Sequence, residues 1–129
     1  MLQHIEIAEP KVSIYNFHGM PKSGKLDTPE RKIQTTSVLH AMRQDTNPKI
    51  LVGDFNLRPE TESLRAFEES MKNLVIEGGF SATRSRFYDH VEAQPFADYA
   101  FITRDIIVKK FEVLPDEVSD HLPLLLELQ

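Results

Sequence analysis

The clearest pattern along the chain is Ile50-Leu51-Val52, three large apolar residues running without a polar break into Gly53-Asp54-Phe55-Asn56. Such a run predicts a strand buried on both faces of a sheet. Elsewhere the pattern alternates. Gln3 to Ala8 sets His4, Glu6 and Ala8 on one face and Ile5 and Ile7 on the other, and Lys11 to His18 groups Val12, Ile14, Asn16 and His18. Glu9-Pro10 separates these two strands and predicts a hairpin.

Helical periodicity takes over after the loop His18 to Gly24. Asp27-Thr28-Pro29-Glu30 opens a helix in one of two ways. Either Asp27 caps it with Glu30 closing a capping box, or Thr28 caps it with Pro29 in the first helical position. Thr35, Val38, Leu39 and Met42 form its buried stripe, and Asn47-Pro48 ends it. A second helix is predicted from around Pro59 to Glu62, with the stripe Leu64, Phe67 and Met71. Leu74-Val75-Ile76 fits strand or helix end, Gly78-Gly79 breaks it, and residues 81 to 96 are polar and irregular. Ala97 to Thr103, Ile106 to Leu114 and Leu122 to Leu128 read as strands. The order β-β-α-β-α-(irregular)-β-β-β predicts an α/β (α+β) fold with one mixed sheet and helices on one face.

Length fits a single domain spanning residues 1 to 129, with enough chain to bury a core. The absence of cysteine excludes disulfides, thiolate metal sites and thiol nucleophiles. No apolar run reaches membrane-spanning length and no signal peptide is visible, which makes a cytoplasmic location the simplest expectation. The net charge of -5 argues mildly against gripping nucleic acid through its phosphates.

Polar residues recur where strands end. They are Asn16 and His18, Asp54 and Asn56, Asp98, and Asp120 and His121. Each alone has an ordinary structural explanation as a turn, a cap or a hydrogen-bonded residue. Asp54 and Asn56, two apart on an extended chain, point the same way. Together the four clusters suit one chemistry. A carboxylate can orient or deprotonate water, and a neutral amide can donate to a phosphoryl oxygen. An Asp-paired imidazolium can stabilise charge in a transition state, and a further carboxylate can hold a hard cation. This is the equipment for hydrolysing a phosphate ester.

Asn16-Phe17-His18-Gly19, Gly53-Asp54-Phe55-Asn56, Asp98-Tyr99-Ala100-Phe101 and Ser119-Asp120-His121-Leu122-Pro123 also resemble, in order and spacing, the motifs of the endonuclease/exonuclease/phosphatase superfamily with its DNase I-like fold. The resemblance implies roles residue by residue. Asp54 is the carboxylate that activates water, and Asn56 the amide on the scissile phosphate. His121 contacts the phosphate, with Asp98 fixing its tautomer. Asp120 is a metal ligand for Mg2+ (or Mn2+), and His18 lies near the phosphate. Asn16 is a structural residue bonding across strand ends. Arg84 and Tyr88, just before Asp98, fall where the family places substrate-contacting loops, although a solvated Arg and a packed Tyr would serve as well.

The resemblance covers only the C-terminal half of the family's four-layer sandwich. The Asn and the metal-binding Glu of the N-terminal half have no counterpart, since Glu6 and Glu9 lie in or beside the hairpin and Gln3 is not followed by Glu. Metal binding is therefore expected to be weak, and activity of this chain low or absent. The sheet face carrying Val12 and Ile14 is expected to lack its partner and to favour a homodimer, sheet on sheet; a fragment beginning at an internal methionine is the other option. The implied substrate is nucleic acid, a phosphoinositide or a small phosphoester. A non-catalytic dimerising or binding module is the alternative function.

Overall fold

Ile50 and Leu51 are neighbours in sequence and end in different cores. The computed structural model describes the backbone of residues 1–129 and every side chain except that of Ser23. Its elements in chain order are β1 (Leu2–Ala8), β2 (Lys11–Phe17), a 3-10 turn at Ser23–Lys25, α1 (Pro29–Arg43), β3 (Lys49–Asp54), α2 (Glu62–Glu68), β4 (Met71–Asn73), α3 (Leu74–Glu77), β5 (Asp98–Thr103), β6 (Val108–Val113) and β7 (Leu124–Leu128).

β3 is the middle strand of a five-stranded mixed sheet, in the order β1-β2-β3-β5-β4. β1 and β2 form the expected hairpin, with Ile5 opposite Ile14. β2 runs parallel to β3, while β5 runs antiparallel to β3 and to β4. One face meets the helices: Tyr15, Phe17, Leu51, Tyr99 and Phe101 pack there with Val38 and Met42 of α1 and Leu64 and Phe67 of α2. Phe55 is the hub of this core, with ring centroids 5.1 Å from Phe17, 5.5 Å from Phe67 and 5.4 Å from Phe101. The other face gathers Val12, Ile50 and Ile102. The apolar run of β3 is thus sorted by the pleat into two cores, as its lack of polar positions predicts.

That second face departs from expectation. It is not bare, because β6 and β7 do not join the main sheet. They pair with each other as a separate two-stranded antiparallel sheet. Val108, Leu126 and Leu128 lie against the Val12, Ile50 and Ile102 cluster, and Val12 is 5% exposed. Alternation explains the arrangement, since Leu124, Leu126 and Leu128 share one face of β7 and need apolar cover. The expected unpartnered face, and the homodimer through it, lose that much of their basis.

The caps resolve the ambiguity at residues 27 to 30. Thr28 caps α1, its Oγ1 accepting from the Arg31 amide at 3.3 Å, and Pro29 opens the helix. Asp27 is left to a different helix. Its carboxylate accepts from the amides of Glu62 at 2.8 Å and Ser63 at 3.1 Å, so it ties the first turn of α2 to the start of α1. Burial tends to raise the Asp27 pKa, but these hydrogen bonds from Ser63 and Glu62 prevail and hold it below the ordinary value.

One further boundary differs, and one open alternative is resolved. α2 ends at Glu68, so Met71 lies not on its stripe but in β4, paired with Thr103. Leu74 to Glu77 is one helical turn rather than a strand, started by the Asn73 side chain accepting from the Ile76 amide.

Candidate active site at the rim of the sheet

β2 and β3 run in the same direction and β5 runs against them, so the ends of β2 and β3 and the start of β5 share one rim. Asp54 and Asp98 are register partners there, the last pair of the β3–β5 ladder. Two glycines bring this rim together. Gly53 has φ +133°, and a Cβ on it would stand 2.1 Å from the Phe17 carbonyl oxygen. A Cβ on Gly19 would stand 2.1 Å from the Phe55 oxygen, and its own amide donates to the Asp54 carbonyl at 2.7 Å. No larger residue permits these backbone approaches.

The relation of Asp54 to Asn56 differs from the extended geometry expected. β3 stops at Asp54, and Asn56 takes a left-handed conformation with φ 52°. Asp54 Oδ1 accepts from the Asn56 amide at 2.8 Å, a local turn that Asp favours. Turn and site therefore coexist. The Asp54 Oδ2 is free of that bond and stands 3.9 Å from His18 Nε2 and 4.0 Å from His121 Nε2. The Asn56 side chain is buried, its Nδ2 donating to the Gly19 carbonyl at 3.2 Å and its Oδ1 accepting from Lys25 Nζ.

His121 reaches the rim from the loop before β7. Its Nδ1–H donates to Asp98 Oδ2 at 2.7 Å, leaving Nε2 toward Asp54 and 3.8 Å from Asp120 Oδ2. The Asp98 hydrogen bond is the chief cause holding the His121 pKa above its ordinary value. Burial pushes Asp98 itself upward, against the pull of the adjacent imidazole.

The irregular segment before β5 secures this pair. Thr83 Oγ1 accepts from the amides of Ala97 and Asp98 at 3.0 and 3.1 Å. The Thr83 carbonyl accepts from Leu122, Arg84 bridges to His121, and Ser85 donates to the Ser119 carbonyl at 2.6 Å. Thr83, Arg84 and Ser85 are all buried.

Arg84 is therefore not a solvated arginine. Its Nη1 lies 3.4 Å from Asp120 Oδ2, and its guanidinium stacks 3.9 Å from the centre of the Tyr88 ring. Tyr88 is half-buried and donates to Gln94 Oε1 at 3.2 Å. Asn16 bonds across strand ends, its Nδ2 donating to Gln3 Oε1 at 3.1 Å. Between the two sheets, next to Asp98, lies a cleft of about 310 Å³ lined by Asn16, Val52, Gly53, Phe111 and Leu124 among others.

Sequence reasoning missed Lys25. It is 9% exposed, has φ 56°, and shares a hydrogen bond with Asn56. It lies in a Gly-rich loop with no periodicity to mark it, so no pattern could have found it.

The family model for the endonuclease/exonuclease/phosphatase family matches residues 11–121. The chain belongs to the endonuclease/exonuclease/phosphatase family. Among solved structures, a mannosyl-6-phosphatase from Bacteroides thetaiotaomicron shares the fold with TM-score 0.75 and 23% identity, over 98% of this chain and 55% of that one. A second family protein from Bacteroides thetaiotaomicron gives TM-score 0.72 and 24% identity, over 92% of this chain and 49% of that one. The catalytic domain of human Nocturnin, solved with a bound sulfate, gives TM-score 0.64 and 18% identity, over 99% of this chain and 52% of that one. No curated protein matches. The chain spans about half the length of these structures. Its mixed sheet with helices is the DNase I-like architecture of these neighbours.

Members of the endonuclease/exonuclease/phosphatase family are in general metal-dependent. Among the described residues no three His, Cys, Asp or Glu side chains converge as a cation site requires. Asp54 keeps one oxygen in a local turn and turns the other to the imidazoles, Asp98 binds His121, and Asp120 lies against Arg84. The residues present do not by themselves fit a bound metal. Among the described residues no helix is long and apolar enough to cross a membrane.

Proposed function

We propose that this chain carries one half of a metal-dependent phosphoester hydrolase, corresponding to the C-terminal half of the family's domain. The observation that carries this reading is the convergence of Asp54 and the Asp98–His121 pair at one rim, with His121 Nε2 4.0 Å from Asp54 Oδ2. A water between these groups would be oriented and deprotonated by Asp54 for in-line attack on phosphorus. His121, its Nδ1 held by Asp98, would present Nε2–H to a phosphoryl oxygen and stabilise the charge that builds there. Asn56 and His18 would contact the same phosphate, with Arg84 and Tyr88 binding the substrate beside it.

Asp120 is the residue this half offers to Mg2+ (or Mn2+). One carboxylate alone would hold such an ion weakly. Family membership, and neighbours that include a phosphatase and a sulfate-bound catalytic domain, support a phosphate ester as substrate. The net charge of -5 favours a small phosphoester or phosphoinositide over nucleic acid. A cytoplasmic location accords with the lack of cysteine.

The test is hydrolysis of a generic phosphodiester and a generic monoester with Mg2+ by this chain and by Asp54→Ala and His121→Ala. Weak turnover lost in both variants is expected. Turnover that survives both substitutions would show that these residues do not carry the chemistry.

A second reading is a non-catalytic module that associates with another copy of itself. It is favoured by one feature: a two-stranded sheet whose two outer edges pair with no strand among the described residues, with Leu124, Leu125 and Leu126 only half-buried. Two strands alone are marginally stable in water. Light scattering separates the readings, since a well-folded monomer at all concentrations removes the second.

A further inference from the structure

Lys25 is an unusual residue to find where it lies. A buried ammonium is costly unless paired with a counter-ion. Lys25 is 9% exposed, yet among the described residues no carboxylate comes within ion-pair distance of its Nζ. Among the described residues its one hydrogen-bond partner is the neutral Asn56 Oδ1. An ammonium has three N–H donors, so two are unspent. The backbone holds it there under constraint, with φ 56° and its carbonyl accepting from the Arg58 amide at 2.9 Å.

Arg84 presents the same imbalance from the opposite strand-end loop. It is 5% exposed, and among the described residues its buried Nε has no hydrogen-bond partner and its single ion-pair contact is a 3.4 Å approach to the half-exposed Asp120. Its backbone is bridged to His121. The two cations thus bracket the rim. Lys25 reaches Asn56, Asn56 is hydrogen-bonded to Asp54, Asp54 faces His121, and His121 is bridged to Arg84. They are near enough that the Arg84 charge, after burial itself, opposes protonation of Lys25, with Asp54 acting the other way. Both side chains lie beside the rim that also holds Asp54, Asp98 and Asp120, and both have N–H donors to spare, which an incoming phosphate would satisfy.

We propose that Lys25 and Arg84 form a two-cation cradle for the terminal phosphate of a phosphate monoester, and that this pair makes the site prefer monoesters to diesters. The charge count supports the preference. A monoester carries close to two negative charges above neutral pH and has three free oxygens, whereas a diester carries one charge and two free oxygens. This inference rests on the phosphoester reading of the site, but it concerns binding and needs neither metal nor turnover. A purely structural Lys25, present only to hold the Asn56 amide, would bind no phosphate.

The test is an NMR titration at pH 8 without divalent metal, following the Asn56 side-chain amide and the Arg84 Nε–H. Inorganic phosphate and dimethyl phosphate are the probes, with the wild-type chain, Lys25→Met, Lys25→Arg and Arg84→Met compared, and the backbone amide spectrum reporting folding. Phosphate is expected to shift both signals and dimethyl phosphate to bind at least tenfold more weakly. Lys25→Met and Arg84→Met should each lose tenfold or more in phosphate affinity, with Lys25→Arg retaining most of it. Equal binding of the two probes by the wild-type chain, or undiminished phosphate binding by folded Lys25→Met, overturns the proposal. The wild-type comparison decides even if a variant fails to fold. Phosphate binding without hydrolysis keeps the cradle and counts against the hydrolase reading; hydrolysis without phosphate binding does the reverse.

Discussion

His121 Nδ1 and Asp98 Oδ2 stand 2.7 Å apart, joining the loop before β7 to the first residue of β5. The bond forms only in the folded chain and, as its chief cause, raises the His121 pKa above 6.5. A group with a raised folded pKa contributes stability fully below its unfolded pKa and loses it as pH rises through the folded one. Asp98→Asn should therefore lower the His121 NMR titration midpoint. It should cost about 1–3 kcal/mol at roughly pH 6, with a smaller penalty at roughly pH 9. A penalty that grows toward alkaline pH would contradict this assignment.

Asp54 has one oxygen in the local turn and the other turned to the imidazoles. Asp54→Asn keeps an acceptor for the Asn56 amide and removes the base. Thermal stability should change by no more than about 1 kcal/mol, whereas any hydrolysis should fall by about 10²- to 10⁴-fold. Comparing melting temperature with turnover checks both halves of the prediction.

Asp27→Ala should destabilise the chain although the residue belongs to neither helix. It removes the acceptor for the amides of Glu62 and Ser63, at a cost of about 1 kcal/mol. The folded pKa is depressed, so the contribution is present above the ordinary aspartate value of 3.8 and vanishes as pH falls through the folded one. Urea melts of wild type and variant should differ at pH 7 and converge as the pH falls below the ordinary aspartate value. A constant offset would mean that charge plays no part.

Gly53→Ala should be among the most damaging single changes. The added methyl meets a backbone oxygen at 2.1 Å, where no side chain can yield, and φ +133° is strained for any L-residue. We expect a loss of about 3 kcal/mol or more, or failure to fold; Gly24→Ala, whose Cβ would meet nothing within 4 Å, should cost about 1 kcal/mol. Circular dichroism melts of the two variants check the contrast.

The residues at the strand ends were legible because period-2 alternation places each one without knowledge of its neighbours. His18, Asp54 and Asp98 could thus be assigned to rims before any sheet order was known, and the hairpin and the Thr28 cap option followed from local chemistry. What escaped were long-range choices. Nothing near Asp27 says that its carboxylate serves a helix starting at Glu62. Nothing in the alternation of β6 and β7 says whether they extend the main sheet or cover its face, since either buries Leu126. Met71 fits a helical stripe, but pairing with Thr103 in β4 prevails over periodicity. Lys25 and the knitting role of Thr83 and Ser85 were hidden for the same reason: their partners lie elsewhere in the chain.

The pairing of Asp54 with Asp98 at the last rung of the β3–β5 ladder makes the site an address written in register. Sliding β3 by one residue would bring Phe55 to that rung, swing the carboxylate to the other face, and turn Leu51 away from the helices. The apolar sorting of Ile50 from Leu51, and of Ile102 from Phe101, is what forbids the slip. Side chains at the rim can therefore be exchanged with little disturbance beneath them, but inserting a single residue between Lys49 and Asp54 would erase the core and the chemistry in the same stroke.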